Sequence, residues 1–347
     1  MNDANAPAAP PVPDHDAGAA VQSLLEILDA AVLGQSRVNR AVLVGVMARG
    51  HVLLEGMPGL GKTEIIRTLG EALGLRFSRV QFTPDLMPSD IVGSAILEER
   101  DGARDMVFRE GPVFTNILLA DEINRASPKT QSALLEAMQE RRVTVMGRTR
   151  PLPEPFFVLA SQNPIELEGT YPLPEAQLDR FMLKVAIEMP SVDVLERIVA
   201  SRRRGQTPAP TARVEPAAIE AVFAAMERVA LPAAVARYIA RLVAATHPGA
   251  QESVDAVARF VRAGASPRAA IALGEASRAV ALLDQRETVG FEDVRSIAPD
   301  VLRHRLALTY DAAIERVSPD AVIRELLESL DEVGAAMPKG VRFAPGK

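Results

Sequence analysis

Gly56-Met57-Pro58-Gly59-Leu60-Gly61-Lys62-Thr63 is the stretch that decides the fold of this chain of 347 residues. It follows an apolar run at residues 52–54 and has the spacing G-x-x-x-x-G-K-[ST], typical of a phosphate-binding loop between a strand and a helix. Glycines let backbone N–H groups surround phosphate oxygens, and the following helix directs its positive end at them. We predict that these eight residues and Glu64 bind a nucleotide, with Lys62 on its β- and γ-phosphates and Thr63 on Mg²⁺. A glycine-rich turn without a ligand is the alternative.

Short apolar runs alternate with helical segments on both sides of this loop. They lie at residues 52–54, 77–82, 117–120, 156–160 and 182–187. The alternation predicts an α/β fold in which a parallel sheet has helices on both faces. Two polar intervals, 92–110 and 142–153, interrupt the pattern, and each predicts an inserted β-hairpin.

Composition divides the chain into four regions. Residues 1–20 are rich in Ala and Pro and predict a disordered tail, with the first helix beginning at Val21. Residues 21–190 then form the predicted nucleotide-binding core. After Pro190, Ala-rich amphipathic segments predict an all-helical lid domain over residues 191–333. We expect residues 334–347 to be a flexible tail.

The composition also excludes several classes of protein. Lys+Arg 39 against Asp+Glu 45 gives a formal net charge of −6, so no global positive field attracts nucleic acid or an anionic membrane. The chain has no cysteine, which excludes disulfides and thiolate chemistry, and its four histidines are too scattered for a zinc site. Because no apolar stretch approaches the ~18 residues of a membrane helix and the N-terminus is acidic, we expect a cytoplasmic protein.

Two carboxylates follow the third apolar run. Asp121 and Glu122 come directly after residues 117–120, so a buried strand would bring both to one sheet edge. Asp121 is predicted to hold Mg²⁺, as Walker B aspartates do, and Glu122 to activate the attacking water as general base. An ordinary acidic turn that begins a helix is the alternative.

Three further residues are candidates for the same chemistry. Asn163 follows the fourth apolar run and would reach the γ-phosphate or the water from the same edge, unless it only forms an Asn-Pro turn. Arg180 ends a short helix before the fifth run, and Arg268 opens a helix of the second domain. Phosphoryl transfer needs such cations to stabilise its transition state, although surface arginines are the simpler interpretation of each.

In order, the strings GMPGLGKT, LLADEINRA, SQNP, LDRF and GASPRA resemble those of the AAA+ ATPases and are similar to the MoxR family. The resemblance covers residues 21–330. Its most specific parts are GHVLLEGMPGLGKT, VQFTPDLMPSDIVG and EGTYPLPEAQLDRF, which extend beyond the general nucleotide-binding signatures. The resemblance implies an AAA+ fold, ATP and Mg²⁺ as ligands, and ATP hydrolysis.

The resemblance also assigns roles to single residues. It implies that Asn163 is sensor 1, that Arg268 is the sensor-2 arginine of the lid, and that Arg180 is an arginine finger for the neighbouring subunit's site. Arg125 is a competing candidate for that contact between subunits. The segment Leu33-Gly34-Gln35 resembles the one that packs near adenine.

Partners follow from the same resemblance. It implies a homo-oligomeric ring, typically a hexamer, that often acts with a protein carrying a von Willebrand factor A domain and remodels or matures a client protein or metalloenzyme complex, as a chaperone does. The two hairpins are then the expected contacts with the client, or else structural surface hairpins.

Other functions remain open at this point. The motor subunit of a metal chelatase is the first alternative, because related proteins share the hairpins. A DNA-remodelling motor is the second, since the hairpin regions carry basic residues that can line a channel. These are Arg100, Arg104, Arg109, Arg141, Arg142, Arg148 and Arg150. A P-loop kinase would leave the lid and Arg268 unexplained, and a catalytically inactive scaffold would leave the catalytic set unexplained.

Overall fold

The computed structural model describes residues 14–57, 59–100, 103–163, 170–201 and 213–332. The chain divides into two compact units. The first comprises residues 1–229 and 279–287, and the second comprises residues 230–278 and 288–347. None of the described helices is long and apolar enough to cross a membrane.

The described residues of the first unit contain nine strands. In chain order they are β1 Val52–Glu55, β2 Phe77–Gln81, β3 Gly93–Arg100, β4 Ala103–Glu110, β5 Ile117–Asp121, β6 Arg142–Val145, β7 Arg148–Pro151, β8 Phe157–Gln162 and β9 Leu183–Ala186. Five of them form one parallel sheet in the order β2-β5-β8-β1-β9. The predicted parallel sheet, with its five apolar runs as strands, is confirmed.

The described helices of the first unit connect and cover these strands. They are α1 Asp14–Ala31, α2 Ser36–Met47, α3 Lys62–Leu73, α4 Pro88–Val92, α5 Pro128–Glu140, α6 Glu175–Leu178, α7 Val192–Ser201 and α8 Pro216–Arg228. The side chains of β1, β5 and β8 are almost entirely buried, as expected of a sheet covered by helices.

The strand register decides where the functional loops meet. Glu55 lies opposite Gln162, and Gln81 lies opposite Asp121, so neighbouring strands end at the same level. Because these strands are parallel, the segments after β1, β5 and β8 all leave the sheet at one edge.

The first helix begins earlier than predicted. Helix α1 begins at Asp14, and Ala17 and Ala20 are buried, so the predicted tail over residues 1–20 is too long. Small alanine side chains pack closely there, which the low apolar periodicity of the segment did not indicate. Residues 1–13, and the tail predicted over 334–347, lie outside the described residues.

Both predicted hairpins are present. Strands β3 and β4 pair antiparallel, and so do β6 and β7. The second hairpin turns through Met146 and Gly147, both with positive φ, as a tight hairpin turn requires. The guanidinium of Arg150 lies 4.0 Å from the ring centroid of Phe108, so the two hairpins touch.

The boundary between the units differs from the predicted one at residue 190. Helices α7 and α8 lie in the first unit. Phe223 of α8 stacks on Phe157 of β8 with ring centroids 6.3 Å apart, and Arg49 lies over the Phe223 ring. These contacts bind α8 to the sheet unit, a long-range packing that helical periodicity alone does not reveal.

The described part of the second unit is helical apart from one short pair of strands. The elements that lie or begin in it are α9 Ala233–Ala245, α10 Asp255–Phe260, β10 Val261–Ala263, α11 Pro267–Leu283, α12 Phe291–Leu302, β11 Ala307–Leu308, α13 Tyr310–Ile314 and α14 Pro319–Ser329. Strands β10 and β11 pair antiparallel and were not predicted, because each is only two or three residues long. The buried Tyr238 of α9 packs edge-on against Phe291 of α12.

Candidate nucleotide-binding site

The loop from β1 to α3 has the backbone of a phosphate cradle. Gly59 and Gly61 have φ angles of +84° and +86°, which residues with side chains rarely adopt. A Cβ at Gly56 would lie 2.9 Å from the carbonyl oxygen of Ile187, so the loop also needs glycine where it leaves the sheet. Pro58 lies outside the described residues. Because α3 begins at Lys62, the N-terminal amides of this 12-residue helix face the loop.

Lys62 is buried beneath this loop. Its Nζ donates to the carbonyl oxygen of Gly56 at 2.6 Å and to that of Gln162 at 3.4 Å. These bonds link the first residue of the loop to the end of β8. The ammonium group is therefore held by backbone oxygens at the place where the loop would surround a phosphate. Glu64, which is also predicted to bind the nucleotide, forms an ion pair with Arg67 one turn along α3, with 2.6 Å between Glu64 Oε1 and Arg67 Nη2.

A second set of polar side chains supports the loop from below. Glu55 precedes Gly56, and its Oε1 accepts from Gln162 Nε2 and forms an ion pair with Lys184 Nζ at 2.8 Å. The three residues belong to β1, β8 and β9, which are neighbours in the sheet. This cross-strand network fixes the end of β1, and sequence reasoning missed it because strand order is not visible in the sequence.

Thr63 and Asp121, the two predicted metal ligands, lie together. Thr63 Oγ1 is 3.4 Å from Asp121 Oδ2, and Ser161 Oγ donates to Asp121 Oδ1 at 2.5 Å. Arg79 Nη2 donates to Asp121 Oδ2 at 2.7 Å. A hydroxyl and a carboxylate are the hard oxygen donors that Mg²⁺ prefers, so these residues fit that ion.

Glu122 has an unusual backbone conformation. Its φ of +56° and ψ of +50° are left-handed, which is uncommon for a residue other than glycine and is often found at functional sites. The Glu122 N–H donates to Ser161 Oγ at 2.9 Å. Its Oε2 pairs with Arg125 Nη1 at 3.0 Å, so Arg125, the competing candidate for a contact between subunits, binds a carboxylate of its own chain here.

Asn163 is buried at the end of β8, and its backbone is tied to the turn after Glu122. The carbonyl oxygen of Asn163 accepts from Asn124 Nδ2 at 3.2 Å. Asn124 in turn accepts at its own carbonyl from the N–H of Tyr171 at 2.6 Å. Gln131, fully buried on α5, donates to the carbonyl oxygen of Tyr171 at 2.9 Å. These bonds connect the turn that carries Glu122 to the segment that leads to Arg180.

The two remaining predicted arginines have different surroundings, Arg180 in the first unit and Arg268 in the second. Arg180 Nη1 donates to the carbonyl oxygen of Leu135 on α5 at 2.5 Å. The same side chain lines a cavity of about 450 Å³ with Glu136, Glu140 and Arg142, and none of the residues lining it belongs to the phosphate loop. Arg268 is the second residue of α11 in the second unit, and its side chain is exposed.

The segment predicted near adenine lies against helix α7. Gln35 is buried and its Nε2 donates to the carbonyl oxygen of Glu188 at 3.1 Å. Gly34 has a φ of +77°, and a Cβ there would lie 2.4 Å from a methyl carbon of Val194. The close approach of α7 at Gly34 explains why glycine stands there.

His51 stabilises the sheet without facing the site. Its Nδ1 accepts from the N–H of Val158 at 3.0 Å, so Nε2 carries the proton and donates to the carbonyl oxygen of Met138 at 3.2 Å. Complete burial lowers the pKa of His51 to about 4, and the neutral ring is the form that makes both bonds.

Sequence reasoning missed Ser161 and Arg79 as members of the site. Ser161 was inside the quoted string SQNP, but only the sheet shows that its hydroxyl lies between Asp121 and the Glu122 amide. Arg79 is a charged residue within an apolar run that predicts a strand. A charge at such a position is unusual, and it is the signal that could have identified Arg79.

Comparison with known families agrees with this geometry. The family described as "ATPase family associated with various cellular activities (AAA)" matches residues 51–183. A second family, described as "AAA lid domain", matches residues 254–326. The first match contains the phosphate loop, both carboxylates and Arg180, and the second contains Arg268.

Similar proteins extend the match over most of the chain. "Chaperone MoxR1" of Mycobacterium tuberculosis is 44% identical, over 90% of this chain and 83% of its own length. "Protein MoxR" of Methylorubrum extorquens is 33% identical, over 86% of this chain and 91% of its own. The crystal structure of a candidate ATPase from Cytophaga hutchinsonii has a TM-score of 0.84 and 38% identity, covering 92% of this chain and 96% of that one.

Proposed function

Since the chain belongs to the MoxR family of AAA+ ATPases, we propose that it hydrolyses ATP and uses the cycle to remodel or mature a protein or metalloenzyme complex. One observation carries the ATPase proposal. Lys62 and Thr63 follow β1, and Asp121 and Glu122 lie at the end of β5, so all four are at one sheet edge. The two strands flank β8, whose Ser161 bonds Asp121 and the Glu122 amide, and Thr63 lies beside Asp121. Binding of phosphate, metal and an attacking water requires this convergence.

Each residue of the edge then has a defined task. The loop amides and Lys62 bind the phosphates, and Thr63 and Asp121 would hold Mg²⁺, which would supply positive charge to neutralise the phosphate oxygens. Glu122 leaves its ion pair with Arg125 and accepts a proton from the water that attacks the γ-phosphorus, while the bond from that phosphorus to the β,γ-bridging oxygen breaks and ADP leaves. Asn163 orients that water or the γ-phosphate.

The arginines complete the site from outside this edge. Arg180, whose described contacts are on α5, is proposed as the finger that enters the neighbouring subunit's site in a ring, typically a hexamer. Arg268 is proposed as the lid residue that senses bound nucleotide. Linking hydrolysis to assembly in this way lets the nucleotide state change the position of the hairpins.

The hairpins are the proposed contacts with the client. Leu97 and Met106 face each other across β3 and β4 and are 59% and 57% exposed, although monomeric proteins usually bury such side chains. A chaperone-like role is supported by the similarity to the Mycobacterium protein named "Chaperone MoxR1". The client and any partner with a von Willebrand factor A domain remain part of the proposal, as does a cytoplasmic location.

The alternative of a nucleic-acid motor is disfavoured by the hairpin arginines. Arg104 pairs with Glu99, and Arg109 pairs with Glu98. Since charges engaged within the chain are less available to phosphates, a steep salt dependence of DNA binding is not expected. No feature of the described residues favours the chelatase alternative over the client-remodelling one.

The first experiment measures ATP turnover with Mg²⁺ and nucleotide affinity in parallel. We expect the wild-type protein to hydrolyse ATP, and Glu122→Gln to bind ATP with similar affinity while turnover falls about 100-fold or more. Glu220→Gln, on the exposed side of α8, is the matched control and should leave both unchanged. Retained turnover in Glu122→Gln would remove Glu122 as the base.

The second experiment identifies the client. Glu122→Gln protein held in ATP is used to capture proteins from native lysate, with Lys62→Ala as the nucleotide-free control. Enrichment of an enzyme complex together with a von Willebrand factor A domain protein supports client remodelling. Enrichment of porphyrin-binding subunits would instead support the chelatase alternative.

A further inference from the structure

Asp121 carries a cation of its own chain on the oxygen that faces the metal site. Arg79 Nη2 donates to Asp121 Oδ2 at 2.7 Å. Thr63 Oγ1, the other candidate ligand, lies 3.4 Å from the same oxygen. Since Ser161 holds Oδ1, the guanidinium occupies the Asp121 oxygen that lies beside Thr63, the other predicted ligand of Mg²⁺.

The register of β2 and β5 explains how Arg79 reaches this point. Arg79 lies opposite Leu119, two residues before Asp121, and its side chain extends forward along the strand. Gln81, directly opposite Asp121, gives the guanidinium a second acceptor, because Arg79 Nη2 also donates to Gln81 Oε1 at 3.1 Å. Both Arg79 and Gln81 are exposed.

The two partners of the ion pair differ in exposure. The side chain of Asp121 is 10% exposed, whereas that of Arg79 is 49% exposed. A nearly buried charge without a partner is costly, and Arg79 supplies the ion-pair partner of the Asp121 carboxylate. A divalent cation that approaches the same oxygen is repelled by the guanidinium. Arg79 can turn toward solvent at little desolvation cost and keep its bond to Gln81.

We propose that Arg79 is a positioning residue for the metal ligand Asp121. It orients the carboxylate when no metal is bound, and it exchanges with the cation when Mg²⁺ and nucleotide bind. This inference rests on the proposed ATPase function. Its consequence is that removal of the Arg79 charge tightens the binding of a divalent cation, whereas loss of a merely structural residue would weaken it.

The test measures metal binding without turnover. The full-length protein with saturating ADP is titrated with Mn²⁺, and free Mn²⁺ is followed by electron paramagnetic resonance. We expect Arg79→Gln to bind Mn²⁺ on the order of fivefold more tightly than the wild type, the size of a solvent-screened charge interaction. Arg79→Lys keeps the charge and should stay within about twofold of the wild type.

Two further variants make the result decisive. Arg76→Gln removes the same charge just before β2 and should not alter Mn²⁺ affinity. Equal or weaker Mn²⁺ binding by folded Arg79→Gln overturns the proposal. If that variant does not fold, Gln81→Leu at an exposed position replaces it in the test. Because Arg79 then has Asp121 as its remaining acceptor, weaker Mn²⁺ binding by Gln81→Leu supports the exchange. Equal or tighter Mn²⁺ binding overturns it. Failure of the wild type to bind ADP would instead count against the proposed function.

Discussion

The sheet edge that carries the phosphate loop and the cavity beside Arg180 are built in opposite ways. At the edge, Lys62, Asp121 and Ser161 are buried and bonded to groups on neighbouring strands. Around the cavity, Arg180 donates to one backbone carbonyl, while Glu136 and other charged lining residues are exposed. At the sheet edge, the polar groups are paired with one another within a single chain. Around the cavity, the charged groups face solvent. This difference fits the proposed action of Arg180 at the site of a neighbouring subunit.

The largest effect is expected on ATP turnover when Arg180 is replaced, and it should distinguish the two regions. Arg180→Ala should lower ATP turnover about 1000-fold, the lower range for an arginine finger, and leave nucleotide affinity unchanged because the edge is intact. Turnover and fluorescent-nucleotide binding measured on the same preparation check this.

Mixing two inactive variants tests whether Arg180 acts on the neighbour. Rings that combine Arg180→Ala with Glu122→Gln can pair an intact base with an intact arginine, so part of the turnover should return. Formation of mixed rings is verified with two different tags. Mixed rings that stay inactive would contradict action between subunits, and Arg125→Ala would then be tested in the same way.

A smaller effect should come from a change of pH, which alters the free energy of unfolding through His51 in the sheet region. The pKa of His51 is about 4 in the folded protein and about 6.5 in the unfolded chain, so the unfolded state binds more protons between these values. The free energy of unfolding should therefore fall by about 3 kcal/mol as pH decreases from 6.5 to 4. Among the described residues that line the Arg180 cavity, none is a histidine.

Urea unfolding followed by circular dichroism at several pH values measures this contribution. His51→Gln removes the titrating group, so its stability should be lower at pH 7 and should depend less on pH over the same interval. Parallel pH profiles for the wild type and the variant would show that His51 is not the source.

The smallest effect is expected when a serine is replaced by alanine, and this substitution can be made in both regions. Ser161→Ala removes the hydroxyl between Asp121 and the Glu122 amide, so we expect a loss of about 1–3 kcal/mol in unfolding free energy and roughly tenfold slower turnover. Ser132→Ala, on the exposed side of α5 at the cavity, should change stability by less than about 0.5 kcal/mol. Equal effects of the two substitutions would remove the distinction between the regions.

Much of the fold could be predicted because the deciding signals are local. Strand and helix periodicity, the glycines at positions 59 and 61, and the turn residues of both hairpins act over a few neighbours in the chain. The position of the domain boundary, predicted at residue 190, and the start of the first helix were predicted less accurately. Both depend on packing between distant segments, such as Phe223 on Phe157.

The sequence by itself determined the phosphate loop, the two carboxylates and the parallel sheet that carries them. It did so because an apolar strand followed by Gly-rich or acidic residues has few other stable arrangements. Only the tertiary structure decided which side chains touch Asp121 and Glu122. Arg79, Arg125 and Ser161 reach those carboxylates and their amides through strand order, register and a left-handed turn, and these are settled by packing across the sheet rather than by neighbours along the chain.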